Sequence, residues 1–138
     1  MAKKAKRSMG LKLLDTNAII YISKDLVDIE QVIDNTSEYA ISVITYMEIL
    51  GYEFTSPQEE KFIRKFLSFF ETLYIDEQIS NTVIALRKKY KIKLPDAIIC
   101  ATSIVNGATL ITNDVRLKNI KNLKLQLLMY SLSDMRVL

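Results

Sequence analysis

No histidine occurs anywhere in the 138 residues, and Cys100 is the single cysteine. The missing imidazole excludes Ser-His-Asp and Cys-His catalysis and every site built on a histidine base. One thiol without an imidazole also leaves a structural zinc site short of ligands. A lone cysteine forms no internal disulfide, which suits a reducing compartment. No apolar run approaches the roughly 20 residues that span a bilayer. The basic N-terminus lacks the apolar stretch of a secretory signal. The expected location is therefore cytoplasmic, with no membrane association. Glycine and proline number only three and two, and there is no linker-like tract, repeat or low-complexity segment. Any chemistry must run on carboxylates, hydroxyls, lysines or an oxygen-bound metal.

Against these absences stands a normal globular composition, 49% hydrophobic and 25% charged. The length suits one domain and leaves no room for two. The net charge of +3 is uneven. Lys3, Lys4, Lys6 and Arg7 lie in residues 1–9 with no acid, leaving 15 basic against 16 acidic side chains elsewhere. Residues 1–10 read as a flexible basic extension or a cloning remnant, or less simply as an arm that follows a phosphate backbone. Residues 11–138 read as the single domain.

Short apolar runs alternate with amphipathic stretches. Leu11 to Leu14 predicts a buried strand ending at Asp15, followed by a helix over Ala18 to Ser23. Leu26, Ile29, Val32 and Ile33 predict a second helix ending near Asn35. Tyr39 to Ile41 predicts a strand, and Ser42 an N-cap for a helix over Val43 to Phe54. Ser56 and Pro57 predict a helix start, with the helix running through Phe70. Leu73 to Ile75 predicts a strand, and Asp76 the cap of a helix over Glu77 to Tyr90. Pro95 opens a helix that stops at Gly107. Thr109 to Thr112 and Leu125 to Met129 predict the last strands. This order argues for an α/β fold, a three-layer α/β/α sandwich around a short parallel sheet.

Four acids stand out by position. Asp15 ends an apolar strand, where an unpaired carboxylate is costly to bury, so it caps a helix, meets a cation or binds a metal. Glu48 lies among large apolar residues, with Glu53 as a competitor. Asp96 falls in the first turn of a helix apolar nearly all round, where the helix dipole favours it by about 0.3–1 kcal/mol. Asp114 directly follows a strand. Each alone has a capping or solvated explanation.

Together the surrounding segments resemble the PIN-domain nucleases over about residues 11 to 130. The carrying pieces are Leu14-Asp15-Thr16-Asn17, Ser42 to Leu50, Leu94 to Ala101, and Gly107 to Asp114. The compact size looks most like the VapC toxins of toxin–antitoxin pairs. By resemblance, Asp15, Glu48, Asp96 and Asp114 are the catalytic, metal-holding acids, with Thr16, Asn17, Thr112 and Asn113 as supporting polar groups. The resemblance implies an Mg²⁺- or Mn²⁺-dependent endoribonuclease that leaves a 5′-phosphate and a 3′-hydroxyl. It also implies a cognate antitoxin and a homodimer. Oxygen-only ligands suit these hard cations.

Nine basic residues lie between Arg87 and Lys124, and the only acids in that span are Asp96 and Asp114. Arg87, Lys93, Arg116 and Lys118 are therefore RNA-binding candidates, although a solvated lysine-rich face explains them equally well. Asp76 reads as a cap and Cys100 as core. Phe62, Phe66, Phe69 and Phe70 read as packing or, with Tyr52 and Phe54, as a groove for a partner helix. The alternatives are an inactive PIN-fold scaffold or a non-toxin PIN nuclease in RNA processing. Receiver and haloacid-phosphatase readings fit poorly. Asn17 stands where the phosphatase needs a second Asp, and Asp114 where a receiver needs a strand end followed by lysine.

Overall fold

The computed structural model describes residues 10–128. The proposed N-terminal extension, apart from Gly10, and the expected strand residue Met129 lie outside the described residues.

Five parallel strands form one sheet: β1 (Gly10–Leu14), β2 (Ser37–Ser42), β3 (Glu71–Leu73), β4 (Thr109–Thr112) and β5 (Lys124–Leu127), in the order β3-β2-β1-β4-β5. The period-two alternation of strand side chains sends neighbours to opposite faces. Leu13, Ala40 and Leu110 share one core cluster, while Leu14, Ile41 and Ile111 share the other. The register agrees, with Leu13 opposite both Ala40 and Leu110 and Leu14 opposite Ile111. Helices cover both clusters. α5 (Glu77–Lys89) and α6 (Leu94–Asn106) bury Ile79, Val83, Leu86 and Ile99 on the first face. On the second, α1 (Thr16–Ser23), α2 (Ile29–Val32), α3 (Val43–Leu50) and α4 (Pro57–Leu67) contribute Ile19, Ile22, Val32, Ile49 and Leu67. The result is the expected three-layer sandwich. Leu13 and Leu14 are fully buried, and each such side chain contributes about 1.5–3 kcal/mol relative to exposure.

Several expected boundaries move for local reasons. The second helix shrinks to one turn, because Asp25 adopts φ 59 and Asp28 caps a new start through the Glu30 N–H. α3 stops at Leu50 with Gly51 as its C-cap, four residues before Phe54. α4 ends at Leu67, and β3 takes Glu71–Leu73 instead of 73–75, leaving Tyr74 and Ile75 exposed. β1 begins one residue early, at Gly10, opposite Ser37. The Gly107 stop is as expected. It adopts φ 64, a left-handed conformation that most side chains resist. Among the described residues no helix is long and apolar enough to cross a membrane.

Candidate active site

The strand order reverses beside β1, with β2 and β3 on one side and β4 and β5 on the other. Chains leaving β1 and β4 diverge at the carboxyl edge of the sheet, where open α/β sheets place their ligand crevices. Asp15 is the first residue past β1. Its N–H donates to the Ile111 carbonyl at 3.1 Å, and its Oδ1 accepts the Ala18 N–H at 2.8 Å, capping α1. The capping and site readings of Asp15 are thus compatible in one side chain.

Thr112, fully buried at the end of β4, links two acids. Its hydroxyl hydrogen-bonds the Asp15 carboxylate and accepts the Asp114 N–H at 3.1 Å. Asp114 caps the 3-10 helix Val115–Asn119 through the Arg116 N–H at 3.0 Å. The same carboxylate meets the Arg116 guanidinium, Nε at 2.9 Å and Nη2 at 2.8 Å.

Glu48 reaches the edge from α3. The Thr16 hydroxyl donates to its Oε1 at 2.8 Å and lies 3.0 Å from the hydroxyl of buried Thr45. One proton per hydroxyl fixes the direction: with Thr16 donating to Glu48, Thr45 donates to Thr16. Thr45 was not singled out from the sequence. The available signal was its place three residues before Glu48, on the same helical face.

The four acids share one electrostatic neighbourhood. Burial pushes the Asp15 carboxyl up, against the Thr112 and Ala18 hydrogen bonds, and Asp96 and Asp114 push it further. Asp96, half-buried in the first turn of α6, is raised by burial, by Asp114 and by Glu48, with Arg116 and Lys93 opposing. Asp114 is lowered by the Arg116 hydrogen bonds. Cys100 is buried among core side chains, and that burial, then the acids, lifts its thiol to about 12. It stays a neutral thiol, as a core residue should.

Among the described residues no three acids converge closely enough to grip an ion as the side chains stand. In this arrangement Asp114 is hydrogen-bonded to Arg116 and Glu48 to Thr16. The donor chemistry nevertheless fits a hard cation. Four carboxylates offer only oxygen, and two of them are raised partly by neighbouring acids, a repulsion that a shared cation relieves.

The other expected residues divide. Asn17 is exposed in the first turn of α1, and Asn113 is half-buried between Thr112 and Asp114. Lys93 and Arg116 line a cleft against Asp96 and Asp114, whereas Arg87 and Lys118 stand exposed and do not line it. The expected aromatic groove does not form as one surface. Phe62, Phe66, Phe69 and Phe70 line a cavity of about 670 Å³ with Ile22 and Ile29, but Tyr52 and Phe54 line a separate depression with Arg64. The early end of α3 at Gly51 carries Tyr52 and Phe54 out of the helix.

The family model of the PIN domain matches residues 12–123, and the chain belongs to the PIN domain family. Among solved structures it is similar to a toxin–antitoxin complex from Klebsiella pneumoniae, at 30% identity and TM-score 0.67 over 86% of this chain and 96% of that one. VapBC2 from Rickettsia felis, bound to a promoter DNA fragment, shares the fold at 23% identity and TM-score 0.76, covering 86% and 99%. DNA-bound VapBC from Salmonella typhimurium gives 25% identity and TM-score 0.75, covering 86% and 98%. No curated protein matches the chain.

Proposed function

We propose that this protein is a metal-dependent endoribonuclease and the toxin of a toxin–antitoxin pair, acting in the cytoplasm. The observation that carries the nuclease reading is that Asp15, Glu48, Asp96 and Asp114, each supplied by a different segment, share one electrostatic neighbourhood at the switch point of a PIN sheet. Asp15, Asp96 and Asp114, with Glu48, would hold Mg²⁺ or Mn²⁺. Bound there, such a cation supplies a water of lowered pKa and positive charge for the departing oxygen of a phosphodiester. The protein's own contribution is orientation. Thr112 ties Asp15 to the backbone of Asp114, and Thr45 and Thr16 aim Glu48. Asn17 and Asn113 flank two of these acids as polar supports. Lys93 and Arg116 place positive charge where a phosphate backbone arrives. The Arg116 guanidinium on Asp114 would compete with a cation for that carboxylate.

The toxin reading rests on the similarity to chains of toxin–antitoxin complexes and on the apolar cavity beside α4. An antitoxin segment laying apolar anchors against Phe62, Phe66 and Phe69 could place a basic side chain among the acids. A homodimer accords with the family. The direct test is incubation of the purified protein with single-stranded RNA and Mg²⁺ or Mn²⁺. Endonucleolytic products with 5′-phosphates are expected from wild type and not from Asp96→Asn. Intact RNA at every metal concentration would leave an inactive PIN-fold scaffold as the better reading.

A further inference from the structure

Beside Asp96 and Asp114 the chain leaves a cleft of about 380 Å³ between the segment that joins α5 to α6 and the 3-10 helix. This volume lies within the roughly 300–1,000 Å³ of ordinary small-ligand sites. Besides those two carboxylates and Arg116, its lining offers apolar surface from Tyr90, Ile92 and Ile120, cations from Lys91 and Lys93, and the amide of Asn119. The Tyr90 hydroxyl accepts the Lys121 N–H at 3.0 Å, which ties the end of α5 to the turn after the 3-10 helix and fixes the wall.

We propose that this cleft is the subsite for one unstacked nucleotide of single-stranded RNA next to the cleaved bond. The inference rests on the nuclease reading and adds to it where the strand lies. A nucleotide carries an anionic phosphate, a base with apolar faces, and a polar base edge. The cleft has a counterpart for each, in Lys91 and Lys93, in Tyr90 and Ile92, and in Asn119, which both donates and accepts. Arg116 also lines the cleft, but its guanidinium is committed to Asp114. A duplex keeps its base faces stacked inward and presents backbone, 2′-hydroxyls and groove edges, so the apolar wall selects a single strand. Direction follows as well. Asp96 and Asp114 line the cleft and Asp15 and Glu48 do not, so the nucleotide enters from the α5–α6 side. The cavity near α4 is mainly aromatic and aliphatic and offers little to a polyanion.

Binding is measured on the Asp15→Asn protein by anisotropy of a short fluorescein-labelled single-stranded oligoribonucleotide over a series of salt concentrations. Replacing Lys91 and Lys93 together by Ala is expected to weaken binding about ten-fold and to flatten the slope of log Kd against log salt by about 0.7 per phosphate released. Lys24→Ala with Lys61→Ala removes the same charge from the opposite helical layer and should change little. An abasic residue walked along the strand should cost affinity at one position, and Asn119→Ala should shrink that cost. Equal losses from the two lysine pairs, or a flat abasic scan, overturn the subsite. Cleavage by wild type is assayed separately. RNA cut normally while the Lys91/Lys93 variant binds unchanged removes the subsite and leaves the nuclease. The expected binding pattern without cleavage removes the nuclease and leaves an RNA-binding cleft.

Discussion

The Arg116 guanidinium clasps the Asp114 carboxylate through two parallel hydrogen bonds, at 2.9 and 2.8 Å, within a single turn of chain. The geometry is the fork-to-carboxylate match that arginine makes well. It occupies one of the four acids with a cation belonging to the protein itself. Arg116→Ala is therefore expected to tighten Mn²⁺ binding several-fold by calorimetry, because it frees Asp114 and removes a competing positive charge. Stability should barely change, since the guanidinium is solvent-exposed and such pairs are weak. RNA affinity should fall at the same time if the arginine also meets phosphate. Unchanged or weaker Mn²⁺ binding would show that the clasp does not compete with the ion.

Asp15 and Asp96 give the metal-free protein a pH signature. Both are raised above the ordinary carboxylate value, chiefly by burial. Between the unfolded value and the raised folded one, the native state holds more protons than the unfolded state, so stability falls as pH rises through that window. Asp15→Asn and Asp96→Asn cannot ionise and should escape this loss. Asn also keeps the cap that Asp15 gives α1. Urea titrations from below pH 4 to pH 7 should show each variant gaining on wild type as pH rises. RNA cleavage should fall more than 100-fold, because losing mere outer-shell partners of a metal already costs about 10–100-fold. A variant that loses stability at neutral pH would contradict the penalty that burial and neighbouring acids place on these carboxylates.

Much of this arrangement was legible in the chain. Leu13-Leu14 running into Asp15 marked a buried strand with a carboxylate at its end, and Gly107 marked the turn before β4. The four acids stand out by position and by resemblance to PIN nucleases; Asp15, Asp96 and Asp114 influence one another, and Glu48 reaches Asp96. What stayed hidden depended on tertiary contacts. The place of β3 is set by pairing Ile41 with Thr72, which no local pattern announces. The aromatic residues divide between two depressions because α3 ends at Gly51, a C-cap glycine as Gly107 is after α6, which places Tyr52 and Phe54 outside the helix. Thr45 looked like an ordinary helical threonine until its hydroxyl met that of Thr16.

That hydroxyl pair yields a third expectation. Thr45→Val keeps the shape and removes the donor, so Thr16 and hence Glu48 lose their fixed aim. Activity should drop about 10–100-fold, the range for residues that orient metal ligands. Thr45→Ser should recover most of it. The Val variant should keep its Tm within a few degrees; a collapse of Tm in both variants would make Thr45 a packing residue only.

Asp76 supplies the matching negative control. It lies three residues past β3, whereas Asp15 directly follows β1, and its Oδ1 is spent on the Ile79 N–H at 2.8 Å at the start of α5. Asp76→Asn should leave stability and cleavage nearly untouched, because Asn caps as well as Asp, whereas Asp76→Ala should cost about 1 kcal/mol in chemical denaturation. Loss of cleavage in the Asn variant as complete as in Asp96→Asn would move the active site away from the edge between β1 and β4.

The toxin reading makes the last prediction, and the cavity beside α4 decides its form. Phe70 is 8% exposed and packs its ring 5.4 Å from Phe66, so these two belong to the fold. Phe62 and Phe69, 57% and 75% exposed, are apolar surface that a monomer gains nothing by presenting to water. Phe62→Lys and Phe69→Lys should therefore fold normally while losing anchors for an antitoxin segment. Expressed in bacterial cells, wild type should arrest growth and Asp96→Asn should not. With the partner co-expressed, wild type should become harmless, and the two lysine variants should stay toxic because inhibition fails while the acids remain intact. Tyr52→Lys, in the separate depression, should still be neutralised. Harmless expression of a soluble wild-type protein that cleaves RNA in vitro would remove the toxin and keep the nuclease. Full neutralisation of both phenylalanine variants would instead place the antitoxin on another surface.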